Sequence, residues 1–189
     1  MKKLLIAILL AAILVIPVPA TALAAPERTM TGQIYVVAVD RTHLNIVPIG
    51  PGVLSITGTV TYMGKVIDAT SESKGSKGKD WETLVGYHVE ATESVNYVTN
   101  GVGDVFQGEV NGTLTIKGVD RDPLVFTYQA KVSGNIFFGP ASDVGTWKVS
   151  QASGAFKTLK KGQGTWNATV EFDSSQGTLA GMASVVGTY

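Results

Sequence analysis

The chain has 189 residues, with 15 Lys+Arg and 15 Asp+Glu, so its formal net charge at pH 7 is +0. Such a balance gives no electrostatic basis for binding nucleic acid or anionic lipid, and we expect no nucleic-acid partner. Cysteine is absent, which excludes cysteine nucleophiles, zinc–thiolate sites and iron–sulfur clusters.

Residues 1–24 have the three-part pattern of a secretory signal peptide. Lys2 and Lys3 give a positive start, Leu4–Ile16 is an unbroken apolar run, and Ala22–Ala24 is a small-x-small cleavage site. The run is shorter than the roughly 20 residues of a comfortable membrane helix, so we expect no membrane span after cleavage; a retained anchor is the alternative. The absence of cysteine near the cut excludes a lipoprotein. We predict a secreted, cell-surface or periplasmic protein.

The remaining chain is predicted to be a single all-β domain. It contains most of the 22 glycines and many threonines and valines, and no window shows a sustained helical spacing of apolar residues. We expect residues 25–32 to be a flexible N-terminal segment and residues 33–189 to form the β-barrel domain.

The first predicted strands differ in character. Gln33–Asp40 is apolar on both faces, which is typical of a strand covered on both sides. Arg41–Gly52 contains two prolines and two glycines and is predicted as a loop, with a short strand at Asn45–Val47 as an option. Val53–Tyr62 alternates with period two, as half-buried strands do, and Met63–Gly64 is predicted to turn the chain.

The middle of the chain is predicted to contain a long hairpin. The segment 73–80, SKGSKGKD, indicates an exposed tip, and it lacks the GxxxxGK[ST] spacing of a phosphate-binding loop. Glu82–Thr99 is predicted as one long strand, followed by the hairpin signal Asn100-Gly101. The return strand, Val105–Lys117, has glycines at two inward positions, which indicates strong curvature or close backbone approach.

The last third of the chain predicts three or four more strands. Leu124–Phe137 follows a turn at residues 120–123, and Gln176–Tyr189 is the final strand. Between them, Gly145–Phe172 contains two Gly-Thr-Trp strands joined by a compact knob in which Phe156 plugs the fold. With eight or nine strands in hairpin succession, we predict a single antiparallel β-barrel of about eight strands, because closure leaves no exposed edges; a β-sandwich is the alternative.

The knob also carries a family resemblance. Residues 153–165, SGAFKTLKKGQGT, resemble the Gly-x-Gly-x-Phe-x-x-x-x-Gly-x-Gly signature of the allene oxide cyclase and dirigent-like barrel superfamily. Ser153 stands at the first glycine-like position, and the knob has one extra lysine. The resemblance implies an eight-stranded antiparallel barrel with the knob between two late strands. It implies no activity, because no catalytic residue of the family has a match in this chain.

Glu93 is the acid of greatest interest. It falls at inward parity between Ala91 and Val95, which would place a carboxyl group with a raised pKa inside the barrel. A bulge near Thr92–Ser94 would instead reset the register and turn Glu93 outward, and the sequence favours this second interpretation.

Three residues are candidates for ligand binding: Glu93, Trp81 and Tyr87. Trp81 follows the lysine-rich segment and is predicted to be exposed, whereas Tyr87 shares the inward parity of its predicted strand. Trp147 and Trp166 share parity with apolar neighbours and are predicted to lie in the core.

The sequence offers little sign of catalysis or metal binding. His43 is placed in a loop and His88 on an outward face, and neither forms a nucleophile or metal motif, so we predict no metal and no cofactor. We lean towards a protein that is not an enzyme. Asn111 and Asn167 lie in N-x-[ST] sequons and are candidate glycosylation sites on outward faces.

These sequence patterns support three functional hypotheses. The first is a secreted barrel that binds a small apolar ligand in its interior. The second is a structural or adhesive subunit of the cell surface that assembles by strand addition, which would make it a homo-oligomer. The third is an outer-membrane barrel, against which the predicted apolar faces lack aromatic girdles and contain glycines.

Overall fold

The computed structural model describes residues 28–72, 81–99, 105–117, 123–135, 140–173 and 178–189. Within these ranges eight antiparallel strands close into one barrel, each pairing with its neighbours in chain order and the last with the first. The strands are β1 (Thr29–Gly50), β2 (Val53–Glu72), β3 (His88–Thr99), β4 (Val105–Lys117), β5 (Pro123–Asn135), β6 (Ala141–Ala152), β7 (Gln163–Asp173) and β8 (Thr178–Thr188). The predicted barrel is confirmed, and the sandwich alternative is wrong.

Alternation along each strand separates the inside of the barrel from the outside. In β4, whose predicted bounds match the structure, Val110, Leu114 and Ile116 are buried and the residues between them face outward. Val95 on β3 and Ala130 on β5 lie opposite Val110 and are also buried. Each buried aliphatic side chain contributes about 1.5–3 kcal/mol, so the barrel interior is the hydrophobic core of the protein.

The first hairpin is longer than the sequence indicated. The loop predicted for Arg41–Gly52 is wrong as far as Gly50, because β1 continues to that residue and pairs there with β2. The optional strand at Asn45–Val47 lies within β1, and residues 51–52 form the turn. The turn predicted at Met63–Gly64 is also wrong, because β2 runs through it without interruption. Register shifts in β1 break the period-two pattern at several points, which is why alternation alone did not show these strands.

The prediction that residues 25–32 form a flexible segment is wrong for its second half, because residues 29–32 belong to β1. Residues 25–27 and the predicted signal peptide lie outside the described residues, but β1 already begins at Thr29. From there it pairs with β2 on one side and β8 on the other, so Thr29–Gly32 belong to the barrel wall.

Beyond Val37, β1 leaves the barrel wall on one side. Its pairing with β8 ends at Val37 and Ala180, whereas its pairing with β2 continues to Gly50 and Val53. We call Ala38–Gly50 the β1 edge. Among the described residues it has β2 as a neighbour on one side and no strand on the other.

Two short 3-10 segments close one end of the barrel, which we call the plug end. They are Glu82–Leu84, before β3, and Gly154–Lys161, between β6 and β7. Leu84, Phe156 and Leu159 are buried there. The predicted knob between two late strands is therefore confirmed, with Phe156 as its plug.

The plug end also corrects the predicted third strand. The strand begins at His88 rather than at Glu82, because the residues before it form the 3-10 segment and a turn. Trp81, predicted to be exposed, is buried, and its Nε1 donates a hydrogen bond of 2.6 Å to the backbone carbonyl of Thr31. The turns and loops predicted at residues 73–80, 100–101 and 120–122 lie outside the described residues.

The remaining core assignments are confirmed. Trp147 and Trp166 are buried, and along β8 Ala183 and Val185 are buried while Met182 is exposed. Among the described residues no helix is long and apolar enough to cross a membrane.

Candidate functional site

Glu93 lies inside the barrel. β3 pairs with β2 and β4 in continuous register, with Val60 and Gly112 opposite Glu93, so no bulge turns its side chain outward. The residue is only 6% exposed. The bulge that the sequence favoured is therefore wrong, and the inward alternative describes the structure.

Two tyrosines hold the Glu93 carboxyl group. The hydroxyl of Tyr128 on β5 donates a hydrogen bond of 2.6 Å to Glu93 Oε1. The hydroxyl of Tyr62 on β2 also hydrogen-bonds to Glu93. Both tyrosines are buried, so these are contacts within the core rather than at a solvated surface.

Gly112 makes the contact between Glu93 and Tyr128 geometrically possible. It lies between them in register, opposite Glu93 on β3 and opposite Tyr128 on β5. A Cβ atom at this position would lie 2.0 Å from Cζ of Tyr128, so the tyrosine ring occupies the space that any side chain would need. The other side of the ring stacks on Trp166, with centroids 4.2 Å apart and planes 11° apart.

Asp143 on β6 is a second buried acid in the same region, and it was not among the candidates predicted from the sequence. It is 5% exposed and lines the same small cavity as Glu93, Tyr62, Tyr128 and Trp166. The signal was present in the sequence, since Asp143 shares the inward parity of Trp147 on its strand.

Burial changes the proton affinity of both acids. Desolvation raises the pKa of Glu93 above its usual range, and the two tyrosine hydrogen bonds oppose that rise. Desolvation, and then the nearby charge of Glu93, raises the pKa of Asp143 to about 7. Burial likewise raises the pKa of Tyr62, Tyr97 and Tyr128, so these phenols stay protonated at neutral pH.

We call Glu93 and Asp143, with Tyr62, Tyr128 and Trp166 around them, the acid centre. Such a centre can retain a proton at neutral pH. The cavity between these side chains has a volume of about 20 Å³, whereas ligand pockets are usually roughly 300–1,000 Å³. Among the described residues, no group of three or more His, Asp or Glu could hold a metal ion.

The other predicted ligand-binding residues lie elsewhere. Trp81 is buried at the plug end, where its ring meets Phe126 edge-on with centroids 6.1 Å apart. Tyr87 is half-buried and packs edge-on against Phe156, at 6.2 Å. Neither lines the cavity at Glu93, so the three predicted residues do not form one site.

The remaining polar candidates lie on the outer surface. His43 lies in β1 rather than in a loop, and its Nε2 is 3.6 Å from a carboxylate oxygen of Asp40. His88 is exposed, as predicted. Asn111 and Asn167 are exposed on outward faces, as their sequon assignment requires; their glycosylation stays a prediction.

Comparisons of the chain with protein-family models, with curated proteins and with solved structures give no match. The resemblance of residues 153–165 to the allene oxide cyclase and dirigent-like superfamily therefore stays a prediction. The barrel and its acid centre must be interpreted from their own geometry.

Tyr128→Phe is expected to lower the free energy of unfolding by about 1–3 kcal/mol, because it leaves a buried carboxyl oxygen without its donor. Urea unfolding at pH 7 would measure this loss. Tyr35→Phe, at an exposed position on the outer face, is the matched control and should have no measurable effect. Equal stability of the two variants would show that the Tyr128 hydrogen bond does not support the fold.

Proposed function

We propose that the protein is a structural or adhesive subunit of the cell surface that assembles with copies of itself by strand addition at the β1 edge. The observation that carries this proposal is that β1 pairs with β8 only as far as Val37 and with β2 as far as Gly50. From Leu44 to Gly50, one row of backbone N–H and C=O groups has no strand partner among the described residues. Such a row is a template for an added strand.

The second half of the β1 edge, Leu44–Gly50, is unusually apolar for an unpaired strand. Ile46 and Ile49 are 56% and 58% exposed. Natural edges are commonly protected by charged residues, especially lysine, yet residues 44–50, LNIVPIG, contain none. An exposed strand of this composition favours burial against a partner.

A second copy of the chain fits this edge. Two β1 edges that meet antiparallel around a two-fold axis place the same apolar residues of both copies next to each other, which is the self-complementary arrangement of a symmetric dimer. Pro48 has no N–H group and is tolerated because its strand has a free edge. It also limits the added pairing to the residues before it, so the pairing is centred on Leu44–Val47.

The outer face of the barrel next to the β1 edge extends the contact surface. A groove of about 950 Å³ there is lined in part by Tyr35, Val37, Met63 and Ile67. Tyr35 and Val37 lie on β1 just before the β1 edge, opposite Lys65 and Met63 on β2. A stable interface buries about 800 Å² on each partner, so we expect it to include this face as well as the paired backbone.

Two other hypotheses have less support from the geometry. The cavity of about 20 Å³ at the acid centre leaves no space for an apolar ligand among the described side chains, so the interior ligand stays a prediction.

Threonines form a row on the outer faces of β2 to β5, at positions 61, 92, 113 and 127. A lipid-facing surface would be apolar, so this row favours assembly over the outer-membrane alternative. The signal-peptide pattern of residues 1–24 supports export to the cell surface.

Sedimentation of the exported protein over a range of concentrations would test the proposal. We expect a reversible dimer or larger assembly, and we expect Ile46→Lys to weaken self-association at least tenfold, because it places a charge in the paired edge. The matched control is Val144→Lys, which changes an equally exposed valine on β6, away from the β1 edge.

A wild-type protein that remains monomeric at the highest concentration would overturn the proposal. Equal weakening by the two lysine substitutions would overturn it as well, because the effect would then not depend on the edge. Thermal unfolding of both variants checks that the substitutions leave the fold intact, as their exposure predicts.

A further inference from the structure

The cavity at the acid centre has the size of a single water molecule. A buried water needs roughly 10–15 Å³ of free volume and two to four polar partners. The cavity offers about 20 Å³, and the residues that line it include four with polar side chains, Glu93, Asp143, Tyr62 and Tyr128. Its volume admits one water and excludes an organic ligand.

One polar group of the acid centre is buried without a partner among the described residues. The indole Nε1–H of Trp166 is buried without a hydrogen-bond acceptor. Asp143 is 5% exposed and lines the same cavity. A buried donor left unpaired costs about 1–3 kcal/mol, so an occupant that accepts the Trp166 indole N–H would stabilise the barrel.

A water molecule matches these groups better than a cation does. Water can accept from the Trp166 indole N–H and bridge the carboxyl groups of Glu93 and Asp143 at the same time. A calcium ion takes 6–8 oxygen ligands, far more than two carboxyl groups supply, and an N–H donor opposes any cation. No group of three or more metal-binding side chains occurs among the described residues.

We propose that the cavity binds one ordered water molecule, which joins Glu93 and Asp143 into a single pair that shares a proton. Tyr128 donates to Glu93 Oε1, protonated Asp143 donates to the water, and the water donates to the other oxygen of the Glu93 carboxylate. The water accepts the indole N–H of Trp166. No covalent bond other than O–H changes, because the proton moves only between the two carboxyl groups through the water.

The surroundings of the pair favour retention of that proton. The titratable groups that interact with it are the phenols of Tyr62 from β2, Tyr97 from β3 and Tyr128 from β5, all neutral at physiological pH. The other strands that line the cavity contribute apolar side chains and Trp166. Burial raises the pKa of both acids, and among the described residues no basic side chain lines the cavity to favour two negative charges.

Water–protein nuclear Overhauser effects on the exported protein at pH 6 would test the proposal. The indole proton of Trp166 should show a cross-peak to a long-lived water, whereas the indole proton of Trp147 should show none. Trp147 is the internal control, because its Nε1 is also buried without a partner but the residue does not line the cavity. In Trp166→Phe the cross-peak is lost with the indole proton, which confirms its assignment.

A crystal structure and an infrared spectrum complete the test. We expect one water within hydrogen-bonding distance of Asp143 and Trp166, and a protonated-carboxyl stretch that shifts in heavy water and is weakened or lost in Asp143→Asn. A dry cavity, a metal ion in its place, or the absence of the Trp166 cross-peak would overturn the proposal. So would a cross-peak of equal strength at Trp147, because water would then not be specific to the acid centre.

Discussion

Gly112→Ala is expected to lower the free energy of unfolding by about 3–5 kcal/mol, enough to leave the barrel marginally stable. The new Cβ would lie 2.0 Å from the Tyr128 ring, so the ring must move. It has little freedom to do so, since Trp166 stacks on its other side and its hydroxyl is bound to Glu93. The substitution therefore adds steric strain and also removes a buried hydrogen bond.

Chemical denaturation with fluorescence detection would measure this effect. Gly50→Ala is the matched control, because a Cβ there makes only ordinary contacts, the nearest at 3.8 Å from Val53, and the variant should unfold like the wild type. In the background of Tyr128→Ala the Gly112→Ala substitution should cost far less, since the ring is gone. Additive effects of the two substitutions would contradict the proposed clash.

The strands that the sequence predicted best are those buried on one face only. β4 and β8 alternate cleanly, so their faces and most of their bounds could be assigned from parity alone. The long β1–β2 hairpin could not, because its register shifts break the alternation and Pro48 and two glycines imitate a loop. Only the pairing of β1 with β2, a contact between distant residues, makes that segment a strand.

The candidate site, too, could be predicted from the sequence only in part. Parity placed Glu93 inside the barrel, but a single local bulge would have reversed that placement, and the sequence contains no signal that excludes one. Its partners, Tyr128 and Asp143, lie 35 and 50 positions further along the chain, so their proximity depends on the closure of the barrel. Trp81 was misplaced for a related reason, since its burial depends on a hydrogen bond to Thr31 across the plug end.

Asp143→Asn is expected to remove most of a marked pH dependence of stability. The pKa of Asp143 is about 7 in the folded protein and 3.8 in its ordinary state. Between these values the unfolded chain releases the proton while the folded chain keeps it, so the stability of the wild type falls as the pH rises. Above about pH 7 both states are ionised and the decline from this group ends.

The size of the effect follows from the same two values. A difference of this size between the folded and unfolded pKa corresponds to about 4 kcal/mol, or a change in Tm of about 10 °C for a chain of this length. The raised pKa of Glu93 adds a decline of the same sign. Asparagine does not titrate, and it also removes the charge beside Glu93. Between pH 4 and pH 8 the free energy of unfolding of the variant should therefore fall by about 4 kcal/mol less than that of the wild type.

Thermal unfolding at intervals from pH 4 to pH 8 would measure both slopes. Glu109→Gln is the matched control, because it removes a carboxyl group that is exposed on the outer face of β4 and should leave the wild-type slope unchanged. Parallel profiles for the wild type and Asp143→Asn would show that Asp143 is not buried as a proton-binding group. Since the pair binds its proton only when folded, a flattened profile in Asp143→Asn alone would identify the acid centre as the origin of the pH dependence.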